Sequence, residues 1–166
     1  MGKNSVIGSK AVQPSRWNLG SLGPRSVLPI PTILIAHHDD YSRKLIETTL
    51  DGEGFAIACV SDGIEALAAI RSHTPDLLVI ARDLAELDGP TVVRAMCSTQ
   101  DRDRTKVIML GASRNSLDDD LHRRVHVAVG LPFRPIALLV AATDLLAPRP
   151  VSELARDSRA HLRIVN

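Results

Sequence analysis

The chain has 166 residues, of which 45% are hydrophobic and 23% charged, a composition that suits one soluble globular domain with some appended sequence. A formal net charge of +1 gives no strong surface field, so nucleic acid and membrane surfaces are not expected partners. No apolar run is long enough to cross a bilayer. The two cysteines, Cys59 and Cys97, lack CxxC or metal-ligand spacing and are predicted to be reduced thiols, which favours a cytoplasmic protein.

Composition divides the chain into three parts. Residues 1–31 mix Gly, Ser, Pro and Asn and are predicted to form a flexible N-terminal arm. Residues 32–147 are predicted to form the folded domain. Residues 148–166 follow a Pro-Arg-Pro break as a C-terminal tail, with enough apolar residues for a short amphipathic helix.

Within residues 32–147, short apolar runs alternate with segments of helical periodicity. This alternation indicates a parallel β-sheet with crossover helices. Continuous apolar runs are typical of strands that are covered on both faces. The predicted strands are residues 33–36, 54–60, 77–81, 107–110 and 127–129.

Five helices are predicted to follow these strands. Asp39 is expected to cap the first helix and Ser116 the fourth, because short polar side chains accept hydrogen bonds from the first free N–H groups. Pro90 and Pro135 suit the first turns of the third and fifth helices, where a missing N–H costs nothing. The second helix is predicted to face the sheet through Ile64, Leu67, Ala68 and Ile70.

Several dispersed motifs resemble the response-regulator receiver domain of two-component systems between Thr32 and Leu146. The most specific is the strand of residues 75–80, which is followed by Leu87-Asp88-Gly89. Residues 61–67, 107–112 and 132–135 resemble the family's second helix opening, fourth strand and last turn. The resemblance implies an α/β, flavodoxin-like (CheY-like) fold, with a five-stranded parallel sheet in the order 2-1-3-4-5, helices on both faces and a site at the carboxyl ends of the strands.

The resemblance also implies a set of phosphorylation residues that this sequence lacks. An active receiver has an acidic pair that holds magnesium, an aspartate acceptor, a hydroxyl residue and a lysine. The matching positions here are His37 and His38, Ala81, Gly111 and Leu131. We therefore expect a degenerate receiver, or pseudo-receiver, that is not an enzyme and needs no magnesium or other cofactor.

Two alternatives remain open at the sequence level. Asp83 or a histidine could serve as a residual phosphoacceptor, and Asp39 is the other acid near these positions. His37 and His38 could instead form a metal or ligand sensor, since imidazoles bind transition metals.

The expected activity is protein-protein interaction in phosphorelay signal transduction, independent of phosphorylation. A histidine kinase, another receiver or an effector is the expected partner, and a homodimer stays open. Receivers commonly use the face of helix four, strand five and helix five. The predicted partner face therefore comprises Arg123, Arg124, Ala128, Leu139 and Ala142.

Overall fold

The computed structural model describes residues 30–96 and 104–147, in which five strands alternate with five α-helices. The strands are β1 (Thr32–Ala36), β2 (Ala56–Val60), β3 (Leu77–Ala81), β4 (Lys106–Leu110) and β5 (Val127–Val129). The helices are α1 (Asp40–Asp51), α2 (Gly63–His73), α3 (Gly89–Met96), α4 (Asp119–Arg124) and α5 (Pro135–Leu146), with a 3-10 turn at Arg114–Ser116. Residues 1–29 of the predicted arm, the predicted tail and Cys97 lie outside the described residues.

The five strands form one parallel sheet in the order β2-β1-β3-β4-β5, which confirms the predicted topology. Ala36 at the end of β1 pairs with Ile80 of β3, and Ala81 pairs with Leu110 at the end of β4. The carboxyl ends of β1, β3 and β4 therefore lie side by side at one edge of the sheet.

Helices cover both faces of the sheet. One core cluster joins alternate strand residues to α2, α3 and α4, and the other joins the remaining strand residues to α1 and α5. Every residue of β3 is buried, which explains its continuous apolar sequence. Across residues 30–96 and 104–147, none of the helices combines the length and apolarity needed to span a bilayer.

The prediction for the buried side of α2 is partly wrong. Ile70 is buried as predicted, whereas Ile64 and Ala68 are exposed and Leu67 is only partly buried. The other buried residues of the helix are Gly63, Ala66 and Ala69. The physical reason is a close contact at the start of the helix, where a β-carbon on Gly63 would lie 1.8 Å from the carbonyl oxygen of Leu87. This backbone approach admits only glycine, and it turns the small residues of α2 toward the sheet.

The predicted cap of α4 is also wrong. Ser116 belongs to the preceding 3-10 turn, and Asp118 is the N-cap of α4 because its Oδ1 accepts a hydrogen bond from Leu121 N at 2.9 Å. That backbone hydrogen bond lowers the pKa of the Asp118 carboxyl. Leu117 adopts an extended conformation between the two helical segments and so separates them.

Candidate functional site

Four of the predicted site positions meet at the carboxyl end of the sheet. His37 follows β1, Ala81 ends β3 and Gly111 follows β4, so the strand register places them side by side. A β-carbon on Gly111 would lie 3.5 Å from Cδ1 of Leu131, which brings Leu131 to the same edge. This edge is where open α/β sheets bind ligands.

His37 is buried in a defined hydrogen-bonded setting. Only 5% of the residue is exposed, and its Nδ1 accepts a hydrogen bond from Asp39 N at 3.1 Å. Its carbonyl oxygen accepts a hydrogen bond from Arg43 Nη1 at 2.7 Å. Burial lowers the pKa of the imidazole, His38 and Arg43 act in the same direction, and the Asp39 carboxylate opposes them. His37 is therefore a neutral ring with its proton on Nε2.

His38 is exposed and makes different contacts. Its ring stacks on that of His37 with centroids 5.1 Å apart, and its Nδ1 lies 2.8 Å from the backbone carbonyl oxygen of Asp83. A carbonyl oxygen only accepts, so this ring nitrogen donates. The contact uses the backbone of Asp83, and the residue itself is exposed in the loop after β3.

Asp39 caps α1, as predicted. Its Oδ2 accepts a hydrogen bond from Ser42 N at 2.7 Å, and this bond lowers the pKa of the carboxyl. The Asp39 carboxylate is thus hydrogen-bonded to the backbone of the first turn of α1.

The residues at this edge do not fit a magnesium ion. Magnesium prefers oxygen ligands in octahedral geometry, whereas His37 is a neutral imidazole and Ala81 carries a methyl group. Of the two nearby acids, Asp39 accepts a hydrogen bond from Ser42 N, and Asp83 is exposed in the loop after β3. Within the described ranges, three or more His, Cys, Asp or Glu side chains nowhere come together in an arrangement that could hold a metal ion.

Arg82 contributes a contact that the sequence analysis missed. Its backbone N–H donates to Leu110 O at 2.8 Å, and its Nη1 donates to Ser116 Oγ at 3.2 Å. Ser116 Oγ in turn donates to Ser113 O at 2.8 Å. A guanidinium thus links the end of β3 to the turn after β4. In the sequence, the only sign of this contact is that an arginine directly follows the third strand.

The predicted partner face is partly wrong, because Ala142 has no exposed surface. Ala142 and Leu138 form the side of α5 that packs on the sheet, one helical turn apart. Leu139 is partly buried and also packs against that core.

The other predicted face residues differ in accessibility. Arg123 is exposed, whereas Arg124 pairs with Asp120 through a 3.0 Å contact within α4. Ala128 is partly buried against the core on the α4 side. Arg123 is thus the most accessible of the predicted face residues.

Comparison with known proteins agrees with this architecture. Residues 33–128 match the model of the response regulator receiver domain, which is more than half of the chain. The response regulator MprA of Mycobacterium avium is 31% identical over 133 residues, which cover 79% of this chain and 50% of that protein. The transcriptional regulatory protein CseB of Streptomyces avermitilis is 31% identical over 86 residues, covering 52% of this chain and 35% of that protein. The chain thus spans half or less of these curated relatives.

Solved structures have the same fold. The chemotaxis response regulator CheY4 of Vibrio cholerae matches with a TM-score of 0.65 and 21% identity, over 71% of this chain and 100% of that one. The receiver domain of the Francisella response regulator 1452 matches with a TM-score of 0.62 and 24% identity, over 69% of this chain and 95% of that one. The sheet order, the motifs that follow its strands and the match over residues 33–128 lead to one conclusion: this chain belongs to the response regulator receiver domain family.

Proposed function

We propose that this receiver domain works without phosphorylation, as a protein-protein interaction module in two-component signalling, and that it is not an enzyme. The observation that carries the proposal is Ala81 at the carboxyl end of β3, the position of the acceptor aspartate in active receivers. A methyl group cannot form an acyl phosphate. The proposed activity needs no metal or other cofactor.

The neighbouring positions support the proposal. Gly111 has a φ of 76°, in the left-handed region that a β-branched residue such as threonine strongly disfavours. Leu131 presents an aliphatic side chain where active receivers have a lysine, so it cannot neutralise a phosphoryl oxygen. The backbone and the side chains are thus both unsuited to phosphoryl transfer.

The segment that follows β4 is held by contacts that require no phosphoryl group. Arg82 and Ser116 join it to β3, and Arg94 of α3 pairs with Asp118 at the start of α4. Asp120 Oδ2 lies 3.7 Å from the same guanidinium. We infer that this segment keeps one conformation, which suits constitutive binding better than switching.

The proposed partner surface lies beside the degenerate site. Tyr41 at the start of α1 is 78% exposed, and Leu131 in the loop before α5 is 61% exposed. Since α1 and that loop both follow the carboxyl ends of parallel strands, the two side chains lie at the same end of the sheet. A tyrosine and a leucine there offer apolar area to a histidine kinase, another receiver or an effector domain.

Phosphorylation is tested by titrating the chain with beryllofluoride and magnesium while recording amide NMR spectra. We expect no saturable shift around Ala81 and Gly111, and no phosphate adduct by mass spectrometry after incubation with acetyl phosphate. A saturable, magnesium-dependent shift would overturn the proposal. An adduct that disappears in Asp83→Asn would assign the chain to the residual phosphoacceptor alternative.

Binding is tested with the kinases and receivers of the same cell, each titrated against the chain. Tyr41→Ser and Leu131→Ser should each weaken the complex by about tenfold, as expected for apolar anchors. The matched control is Arg71→Ser. Arg71 is exposed near the carboxyl end of α2, at the opposite end of the sheet from Tyr41 and Leu131. Affinity that is unchanged in both anchor variants, or that requires acetyl phosphate, would contradict the proposal.

A further inference from the structure

His37 connects three segments of the chain at the carboxyl end of the sheet. Its backbone N–H donates to Val60 O of β2 at 3.2 Å, and its carbonyl oxygen accepts a hydrogen bond from Arg43 of α1 at 2.7 Å. Its ring stacks on that of His38, whose Nδ1 donates to the carbonyl oxygen of Asp83 in the loop after β3. The imidazole is thus a buried titratable group at a junction, and the proposed function gives it no role.

The first turn of α1 is held in place through the side chain of His37. Nδ1 of this ring accepts a hydrogen bond from Asp39 N at 3.1 Å, and Asp39 Oδ2 accepts one from Ser42 N at 2.7 Å. Tyr41 lies in this turn, between the two hydrogen-bonded residues, and is 78% exposed. The position of an exposed aromatic side chain therefore depends on the lone pair of a buried nitrogen.

We propose that protonation of His37 releases the first turn of α1 and thereby weakens binding at the partner surface of Tyr41 and Leu131. This response rests on the proposed function, which assigns that surface. A proton on Nδ1 turns the acceptor into a donor, so the hydrogen bond from Asp39 N is lost. The imidazolium also carries a charge that is costly to bury. The ring and the turn must therefore rearrange together when the proton binds.

The groups around the buried imidazole determine the direction of the response. Burial lowers the pKa of the ring, and His38 and Arg43 lower it further because positive charge nearby disfavours the imidazolium. The Asp39 carboxylate opposes them. Arg43 also pairs with Asp40, while Asp83 contacts His38 through its carbonyl oxygen. The binding-competent form is thus present above pH 6.5, the ordinary histidine value, and is lost as the pH falls below it.

Fluorine NMR of the full chain tests the effect on α1. Tyr41 is the only tyrosine, so fluorotyrosine labelling gives one signal, from the first turn of this helix. We expect a transition with a midpoint below pH 6.5 that precedes the loss of far-ultraviolet circular dichroism. His37→Asn should abolish it, since asparagine keeps an acceptor oxygen but does not titrate. The exposed His73→Asn, at the carboxyl end of α2, should retain it.

A second measurement needs no variant, in case His37→Asn fails to fold. The ring-proton NMR signals of His37 in the unaltered chain should titrate with the same midpoint as the Tyr41 fluorine signal. A fluorine signal that does not respond to pH before unfolding would overturn the proposal. So would two different midpoints, or a transition that persists in folded His37→Asn.

Partner binding is measured on both sides of the fluorine transition, with the kinase or receiver that binds in the titrations described above. Affinity should fall at least about tenfold below the midpoint, as expected when an anchor is displaced. His37→Asn should remove this fall, whereas His73→Asn should keep it, which separates the response from titration of the partner itself. Equal affinity on both sides would overturn the pH response alone. Failure to bind any partner at any pH would overturn the proposed function and, with it, the effect on binding.

Discussion

The buried imidazole of His37 accepts a hydrogen bond through Nδ1 from the backbone N–H of Asp39, the residue that caps α1. This bond requires a deprotonated Nδ1. Protonation of Nδ1 would place its N–H against the N–H of Asp39. It would also add a positive charge beside the Arg43 guanidinium, which donates to the His37 carbonyl oxygen. The start of α1 is thus coupled to the charge state of one histidine.

The first prediction is that the chain loses stability as the pH falls. Burial lowers the folded-state pKa of His37 below its ordinary value of 6.5. The unfolded chain therefore binds more protons, so the stabilisation is fully present above pH 6.5 and is lost as the pH falls toward the folded-state pKa. Of the neighbouring titratable groups, His38 and Arg43 lower the pKa of this ring further, whereas Asp39 raises it.

Urea unfolding at a series of pH values measures this loss. His37→Asn keeps an acceptor oxygen near Asp39 N but does not titrate, so its stability should depend less steeply on pH. The exposed His73→Asn, at the carboxyl end of α2 and away from His37, is the matched control and should keep a slope close to that of the original chain. Equal slopes for His37→Asn and the original chain would rule out His37 as the source.

The second prediction concerns the contact between α3 and the end of β3. A β-carbon on Gly89 would lie 2.3 Å from the carbonyl oxygen of Ala81. Because this oxygen is a backbone atom, it cannot shift without a large energetic cost. Gly89→Ala should lower the free energy of unfolding by about 1–3 kcal/mol, the usual cost of overpacking.

Gly52→Ala serves as the control for Gly89→Ala. Gly52 has a φ of −69°, and no atom lies within 4 Å of the place that a β-carbon would occupy, so alanine fits without strain. This change should be neutral or stabilise the chain by about 0.4–1 kcal/mol through the unfolded state. Equal effects of the two changes in chemical denaturation would refute the close contact.

The strands were predictable because their signal is local. A strand covered on both faces needs a continuous apolar run, and 77–81 was predicted with the bounds that the structure has. The rotation of α2 was not predictable in this way. It depends on the contact between Gly63 and Leu87, residues distant in sequence, and periodicity alone favoured Ile64 for the buried side.

The same distinction between local and long-range signals applies to the candidate site. The positions of His37, Ala81 and Gly111 follow from strand ends, and a parallel sheet necessarily brings strand ends together. The bond between Arg82 and Ser116 joins residues 34 positions apart through a long, flexible side chain. No spacing rule predicts such a contact. Burial of Ala142 likewise depends on how α5 is rotated, and α5 is too uniformly apolar to show this in its sequence.

The third prediction tests the corrected cap of α4. Asp118 accepts the Leu121 N–H and pairs with Arg94, so Asp118→Ala removes a capping bond and an ion pair between α3 and α4. We expect a lower free energy of unfolding, because the start of α4 loses its capping hydrogen bond. The adjacent Asp119→Ala is the control and should cost less, since Asp119 is exposed in the first turn. A larger loss for Asp119→Ala would mean that the cap is misassigned.

The last prediction tests the rotation of α5 with two truncations on the same helix. Leu138 is fully buried against the sheet, so Leu138→Ala leaves a cavity and should cost about 2–5 kcal/mol. Ile136 is exposed, so Ile136→Ala should change the free energy of unfolding by no more than about 0.5 kcal/mol. Both free energies are measured by urea unfolding under the same conditions. Similar losses for the two variants would mean that α5 is rotated differently from this description.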